Sequence, residues 1–407
     1  MPSSRTQIKP LSETALIIFL GGLVGFGPLS IDMYLPTFPN IAAYLGTDIA
    51  QVQFTVSTFL MGFCAGMLLY GPLSDRYGRR FILILGMSLY VLASLACLFA
   101  SNIEQLLCCR FLQAFGGGAA PVLGRAIVRD RFPPQRTVSI LSMMQLITML
   151  APLLAPMIGG ALLLFFDWRS NFVLLAILGC ICWAIVYFRL EETHQVTVST
   201  PLTFTTIFKP YCTVLKHRAT IGYIFCLASM FGGLFTYVAG TPFVYIDYFH
   251  FSPQYYGYFF GLNVIAIICC TLLNNRFAKK YSLKTLLSVE VSVVAIAGVG
   301  FALANPDSLI AIMLPLFIFI GLTGAIAPNI MAMLLQLHRE RAGTAMALAT
   351  SMQFAGGLLA SATLSYFFQG TPQTMLTVLC ACSICAVIGF LFAALFPNNQ
   401  TNNQTTS

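Results

Sequence analysis

With 58% hydrophobic and only 8% charged residues, and a mean hydropathy of +0.85, this 407-residue chain cannot be a soluble domain, because soluble domains carry about 25% charged residues. Its apolar runs are unbroken over about 20 residues, which excludes the alternating segments of about 10 residues that a membrane β-barrel shows. The formal net charge of +8 points to the placement of lysine and arginine around a bilayer, not to nucleic acid,.

Residues 1–13 are short and polar, and a full-length apolar run follows with no small-residue cleavage site. An uncleaved first helix is expected, not a signal peptide. That first run contains one carboxylate, Asp32, in a stretch otherwise uncharged from Thr14 to Thr47. A carboxylate at bilayer depth costs roughly 2.5–3.5 kcal/mol on insertion scales and is kept only where it faces a bundle interior, a water-filled cavity or a partner. Asp32 is therefore the first candidate functional residue.

Further apolar runs predict spans over 15–38, 49–71, 80–100, 103–127, 137–163, 170–188, 219–243, 254–275, 283–303, 308–336, 342–368 and 374–396,. Twelve spans with a cytoplasmic N-terminus place every basic residue except Arg110 and Arg169 on the inner side, as the positive-inside rule requires. Arg110 falls inside the fourth span and Arg169 in an outer loop. The polar, basic segment 191–218 then reads as a cytoplasmic linker between two six-helix halves, 1–190 and 219–396. The uncharged tail 397–407 reads as disordered,. A faint repeat supports the halves: GPLSDRYGRRFILILG after the second span has an echo in NNRFAKKYSLKTLL after the eighth,.

An arginine inside a span needs a partner as much as Asp32 does. Asp32 lies about 6 residues below the outer end of its span and Arg110 about 7 below the outer start of its own, so at ~1.5 Å per residue both sit in one layer. The two are expected to form a shared polar site. Glu290 also lies within a span, about 7 residues into the ninth. An acid reaching water or Lys284 is preferred there over a second proton site.

The 13 cysteines are scattered through apolar runs, and the histidines at 194, 217, 250 and 338 sit at or near loops. Neither set has metal-ligand spacing, so no metal and no cofactor is expected. No G-x-x-x-x-G-K-[ST] occurs, so ATP does not drive the protein directly,. There is no clustered catalytic set and no folded soluble domain, which weighs against an enzyme or receptor.

Four patches carry a family resemblance. Gly71-Pro-Leu-Ser-Asp75-Arg76-Tyr-Gly78-Arg79-Arg80 resembles the loop signature G-x-L-x-D-R-x-G-R-R/K of the major facilitator superfamily. Arg110-Phe-Leu-Gln113-Ala114 resembles R-x-x-Q-G, with alanine for the last glycine. Ala151-Pro152-Leu-Leu-Ala155-Pro156-Met-Ile-Gly159-Gly160 resembles the antiporter motif, with alanines at 151 and 155 where glycines are usual. The stretch Phe235–Val244, with Phe259-Phe260-Gly261-Leu262-Asn263 after it, resembles the bicyclomycin-resistance type of twelve-helix drug–proton antiporter.

This resemblance implies an all-α integral membrane fold with both termini cytoplasmic, in a bacterial inner membrane. It implies that Gly71, Asp75, Arg76, Gly78, Arg79 and Arg80 form a gating loop whose aspartate locks the two halves on the cytoplasmic side. It implies that Pro152, Pro156, Gly159 and Gly160 mark an exporter. The function it implies is proton-coupled efflux of small lipophilic or cationic compounds. Asp32 and Arg110 are the residues expected at the proton, and Tyr237, Asn263 and Gln353, in the seventh, eighth and eleventh spans, are the candidates for polar points in the cavity wall. Export of one native metabolite, such as a siderophore, amino acid or sugar, is the alternative. The expected partners are the small-molecule substrate, protons and the bilayer; a monomer is expected, since one chain supplies both halves.

Overall fold

The computed structural model describes residues 12–193, 204–338 and 341–396. Arg5, Lys9, His194, Arg339, the stretch 194–203 of the linker and the tail 397–407 lie outside the described residues. Among the described residues there are twelve helices long and apolar enough to cross a membrane. They are α1 (Glu13–Leu45), α2 (Ile49–Tyr77), α3 (Arg79–Leu98), α4 (Ile103–Arg131), α5 (Ser139–Leu162), α6 (Arg169–Arg189), α7 (Arg218–Tyr248), α8 (Pro253–Phe277), α9 (Leu283–Leu303), α10 (Leu309–Leu337), α11 (Ala342–Tyr366) and α12 (Gln373–Ala394). No strand occurs among the described residues, and the number and order of the spans are those the hydropathy pattern predicts.

Three spans are irregular where the sequence gives them reason to be. α1 breaks at Gly25 and again at a 3₁₀ turn over Leu35–Thr37 that contains Pro36, before its last segment, Phe38–Leu45. α4 is interrupted at Gly118. α7 finishes as a π-helix, Phe243–Tyr248, directly after Pro242, where proline removes a helix donor. The linker contains a short helix, Phe204–Leu215, that the sequence reading did not anticipate.

The contacts divide the chain into two compact units, Met1–Leu45 with Met61–Thr200, and Gly46–Leu60 with Pro201–Ser407. The stretch Gly46–Leu60, expected in the first half, thus groups with the second, and α2 runs through both units. Within the first unit α1 packs on α5, and α3 packs on α4 and α6. Within the second, α7 packs on α11, and α9 on α12. The pairs α1·α5 and α7·α11, like α3·α6 and α9·α12, are related by an offset of six helices, the relation that an internal repeat produces.

Helix association in a bilayer rests on close packing by small residues more than on hydrophobic drive. In the first unit the packed centre joins Leu20 and Leu23 of α1, Met87 and Tyr90 of α3, and Leu123 and Ile127 of α4. A Cβ at Gly116 would lie 2.6 Å from both Gly86 O and Tyr90 N. The α3 and α4 backbones therefore touch, and the polar side chains of the two helices meet on one level.

Candidate functional site

Asp32 closes the helical segment Phe26–Asp32 and is buried, with 5% of its surface exposed. The side of α1 that carries it is held by α5. A Cβ at Gly159 would lie 1.7 Å from Met33 O, so no residue but glycine leaves α5 room beside the residue that follows Asp32. About two turns earlier, Ala151 Cβ lies 3.6 Å from the position of a Cβ on Gly25. Pro152 and Pro156 both lie inside the α5 helix, between these two approaches. The antiporter-type stretch is thus the surface against which the Asp32 region of α1 is set.

Arg110 is fully buried and is tied into a ring of hydrogen bonds on α1, α3 and α4. Its Nη1 donates to Gln113 Oε1 at 2.5 Å, and its Nη2 donates to the main-chain carbonyl of Ser30 at 3.0 Å. Gln113 Nε2 donates to Ser94 Oγ at 2.7 Å, and Ser94 Oγ donates to the carbonyl of Tyr90 at 2.7 Å. The Tyr90 hydroxyl is 2.6 Å from Ser30 Oγ, which closes the ring. The guanidinium also lies over the Tyr34 ring at 4.2 Å and near that of Phe172 at 5.7 Å, the geometry of cation–π attraction.

The expected Asp32–Arg110 pair takes a different form from the one the depth argument suggested. Among the described residues the ion pairs do not include these two. The reason is angular. Ser30 and Tyr34, one turn apart, share the face of α1 that Arg110 meets, whereas Asp32 lies about 200° around the helix from Ser30. The two groups share a level, but Arg110 grips the backbone and ring on either side of Asp32. Gln113 was visible in the sequence, three residues after Arg110 and so on the same helix face. Ser94 and Tyr90 were not, because nothing local marks which side of α3 meets α4.

The loop between α2 and α3 is a second polar centre. Gly78 has φ +93°, a conformation that side chains rarely adopt,. Gly71, which the resemblance put in the gating loop with Gly78, lies inside α2 and is not part of the turn. Arg79 is buried and makes ion pairs with Asp75 at 2.5 Å and with Asp130 of α4 at 3.0 Å, while its Nη1 donates to Ser74 Oγ at 2.6 Å. Asp75, the aspartate of the expected gating loop, is held within its own unit by Arg79. The helix N-terminus here is that of α3, and its acceptor is Glu192. Arg79 N and Arg80 N donate to the two carboxylate oxygens of Glu192, at 2.8 and 3.0 Å, the favoured place for an anion on a helix dipole. A Cβ at Gly78 would sit 2.5 Å from Glu192 Oε2, so this glycine also makes space for the carboxylate. Arg80 Nη2 donates to Tyr187 O at 2.6 Å, and Arg76 lies 5.6 Å from the centre of the Tyr77 ring.

In the second unit Tyr237, Asn263 and Gln353 are all buried. Tyr237 stacks on Phe260 at 5.2 Å. Asn263 Nδ2 donates to Phe259 O at 3.1 Å, and its Oδ1 has no partner among the described residues. No hydrogen bond among the described residues joins these three side chains to one another. Glu290 was expected to reach water or Lys284; instead it is buried and accepts from Asn329.

Comparison with known proteins agrees with this architecture. The Major Facilitator Superfamily model matches residues 18–361. The chain is 32% identical over 383 residues to a bicyclomycin resistance protein homolog of Haemophilus influenzae, covering 94% of this chain and 96% of that one. It is 30% identical to the multidrug resistance protein MdtL of Salmonella typhimurium, over 70% of this chain and 72% of that one. Among solved structures, it superposes with TM-score 0.73 on an inward-facing bacterial homolog of the human lysosomal transporter Spinster, at 14% identity, covering 95% of this chain and 98% of that one. A D-xylose–proton symporter matches equally well, with TM-score 0.73, 16% identity and coverage of 94% and 97%. These two show the fold alone. The chain belongs to the major facilitator superfamily: it is a membrane transporter of the bicyclomycin-resistance type, and not an enzyme.

Proposed function

We propose that this protein is a proton-coupled exporter of small lipophilic or cationic compounds, working as an antiporter in a bacterial inner membrane with both termini cytoplasmic. The observation that carries this reading is Asp32: a buried carboxyl in a stretch otherwise uncharged from Thr14 to Thr47, on the face of α1 turned from Arg110. A carboxyl so placed can hold a proton in one half of a cycle and a substrate contact in the other, which is how one group joins ion movement to cargo movement. The names of the relatives, bicyclomycin resistance and multidrug resistance, support drugs as cargo and export as the direction.

In this reading Arg110 keeps its hydrogen-bond ring in both states and fixes the wall beside Asp32. Tyr237 and Asn263, on α7 and α8, and Gln353, on α11, supply polar points in an otherwise apolar cavity wall. The loop Gly71–Arg80, through Asp75, acts as the cytoplasmic lock. One chain is the working unit.

The test is transport in inverted membrane vesicles against a panel of lipophilic cations and neutral antibiotics, with and without a collapsed pH gradient. The wild-type protein is expected to accumulate substrate only with the gradient, and Asp32→Asn to abolish that accumulation at unchanged expression. Gradient-driven transport that persists in Asp32→Asn overturns the assignment of Asp32. Accumulation of a single metabolite and none of the panel overturns the cargo class.

A further inference from the structure

Glu290 lies seven residues into α9 and is 8% exposed. Its surroundings come from two other helices. Asn329 Nδ2 of α10 donates to both Glu290 oxygens, at 2.9 and 3.1 Å, and also to Asn274 Oδ1 of α8, at 2.9 Å. Asn274 Nδ2 returns a bond to Asn329 Oδ1 at 3.1 Å. The two amides therefore form a reciprocal pair, and Glu290 takes the one N–H left over.

The charge on an ionised Glu290 is poorly met. A carboxylate offers about four acceptor sites, and here a single shared amide N–H serves both oxygens. No ion pair among the described residues includes Glu290. α10 brings no titratable side chain along its length, and α12 brings only cysteines. Among the described residues, the thiols of Cys226 on α7 and Cys270 on α8 lie within electrostatic reach. Arg276 on α8 and Lys284 on α9 are exposed. A purely structural knot of amides would need no acid, because Asn274 and Asn329 already satisfy each other. A buried acid without a cation also costs more than an amide or apolar residue of the same volume would.

The three side chains meet near the helix ends on one side of the unit. Asn274 is three residues from the end of α8, Glu290 seven from the start of α9 and Asn329 eight from the end of α10. At ~1.5 Å per residue that is roughly 5 to 12 Å from the face that carries Lys279 and Lys280, close enough for a proton to reach it over a few side-chain lengths.

We propose that Glu290, with Asn329 and Asn274, is a proton-binding site of the second unit, separate from Asp32. The site takes a proton on the carboxyl, and the amide pair holds the acid in place in both states. This goes beyond the efflux reading and does not require it.

The experiment is pH-difference infrared spectroscopy of the full-length protein in lipid, in an Asp32→Asn background so that Asp32 contributes nothing. The protonated-carboxyl band is expected to titrate in that background and to lose a component when Glu290→Gln is added. Asn329→Ala, with Glu290 intact, removes the amide donor to the ionised form. It is expected to tighten proton binding about tenfold, moving the midpoint of that component to higher pH. An unchanged band after Glu290→Gln overturns the proposal, as does an unmoved midpoint in Asn329→Ala. Should Glu290→Gln fail to fold, the Asn329→Ala midpoint decides alone.

Discussion

Arg110 donates to the main-chain carbonyl of Ser30 at 3.0 Å and does not pair with Asp32, two residues further along the same helix. The arginine is thereby a fixed part of the wall, and its partners include a carbonyl, an amide and two aromatic rings. A double-mutant cycle between Asp32→Asn and Arg110→Gln measures the consequence. Arg110→Gln alone is expected to destabilise the protein by about 1–3 kcal/mol, since Ser30 O and Gln113 lose a buried donor. The coupling between the two substitutions is expected to stay below about 0.5 kcal/mol in thermal unfolding. A larger value would mean that the charges meet directly.

Gly159 is expected to tolerate no side chain. Its Cβ would lie 1.7 Å from Met33 O, a backbone atom that cannot swing aside. Gly159→Ala is expected to cost about 1–3 kcal/mol by overpacking and to reduce transport by displacing α1 beside Asp32. Gly22→Ala is the control, because nothing lies within 4 Å of a Cβ there. It is expected to be neutral or to stabilise α1 by roughly 0.5–1 kcal/mol. Equal losses in the two variants would remove the steric argument.

The contact between Gly78 and Glu192 ties the α2–α3 turn to the chain segment after α6. Gly78→Ala is expected to destabilise on two counts, the left-handed backbone and the 2.5 Å approach to Glu192 Oε2. The first costs of order 1–3 kcal/mol. Glu192→Ala relieves the second and uncaps α3. The combined variant is therefore expected to lose less than the sum of the two, by 0.5 kcal/mol or more, on the order expected of residues in contact. Strict additivity would show that the carboxylate does not occupy the turn.

His338, at the end of α10, is within 2.7 Å of Thr220 Oγ1 and packs edge-on against His217 at 5.8 Å. Burial, together with the nearby His217 and Arg341, pushes its imidazole below the ordinary value of 6.5. With the folded value depressed, the unfolded chain binds more protons in the window just below 6.5. Stability is therefore full above that window and falls as the pH drops through it. Thermal unfolding between neutral and mildly acidic pH is expected to show this decline in the wild-type protein and a flatter one in His338→Gln. An identical slope in both would sink the assignment.

Much of this molecule is determined by short-range chemistry and so is legible in one dimension. Twelve apolar runs must become twelve helices, because a backbone in lipid has no other way to satisfy its own N–H and C=O groups. The basic residues mark the loops, and an acid or arginine inside a span announces a site because its burial is costly. Asp32, Arg110 and Glu290 were singled out in that way as candidates, although the surroundings of Glu290 were misread.

What only the tertiary structure decided is rotation and partnership. Depth along a helix follows from counting residues, but the face a residue presents depends on which neighbour the helix packs against. A change of two residues turns a side chain about 200° around the axis. That is why Arg110 meets Ser30 and Tyr34 and not Asp32, and why Ser94, Tyr90 and Glu192 entered the polar centres unannounced. The pairing of Glu290 with Asn329 and Asn274 has the same origin: three residues far apart in the chain lie near helix ends on one side of the unit, and only packing turns them toward one another.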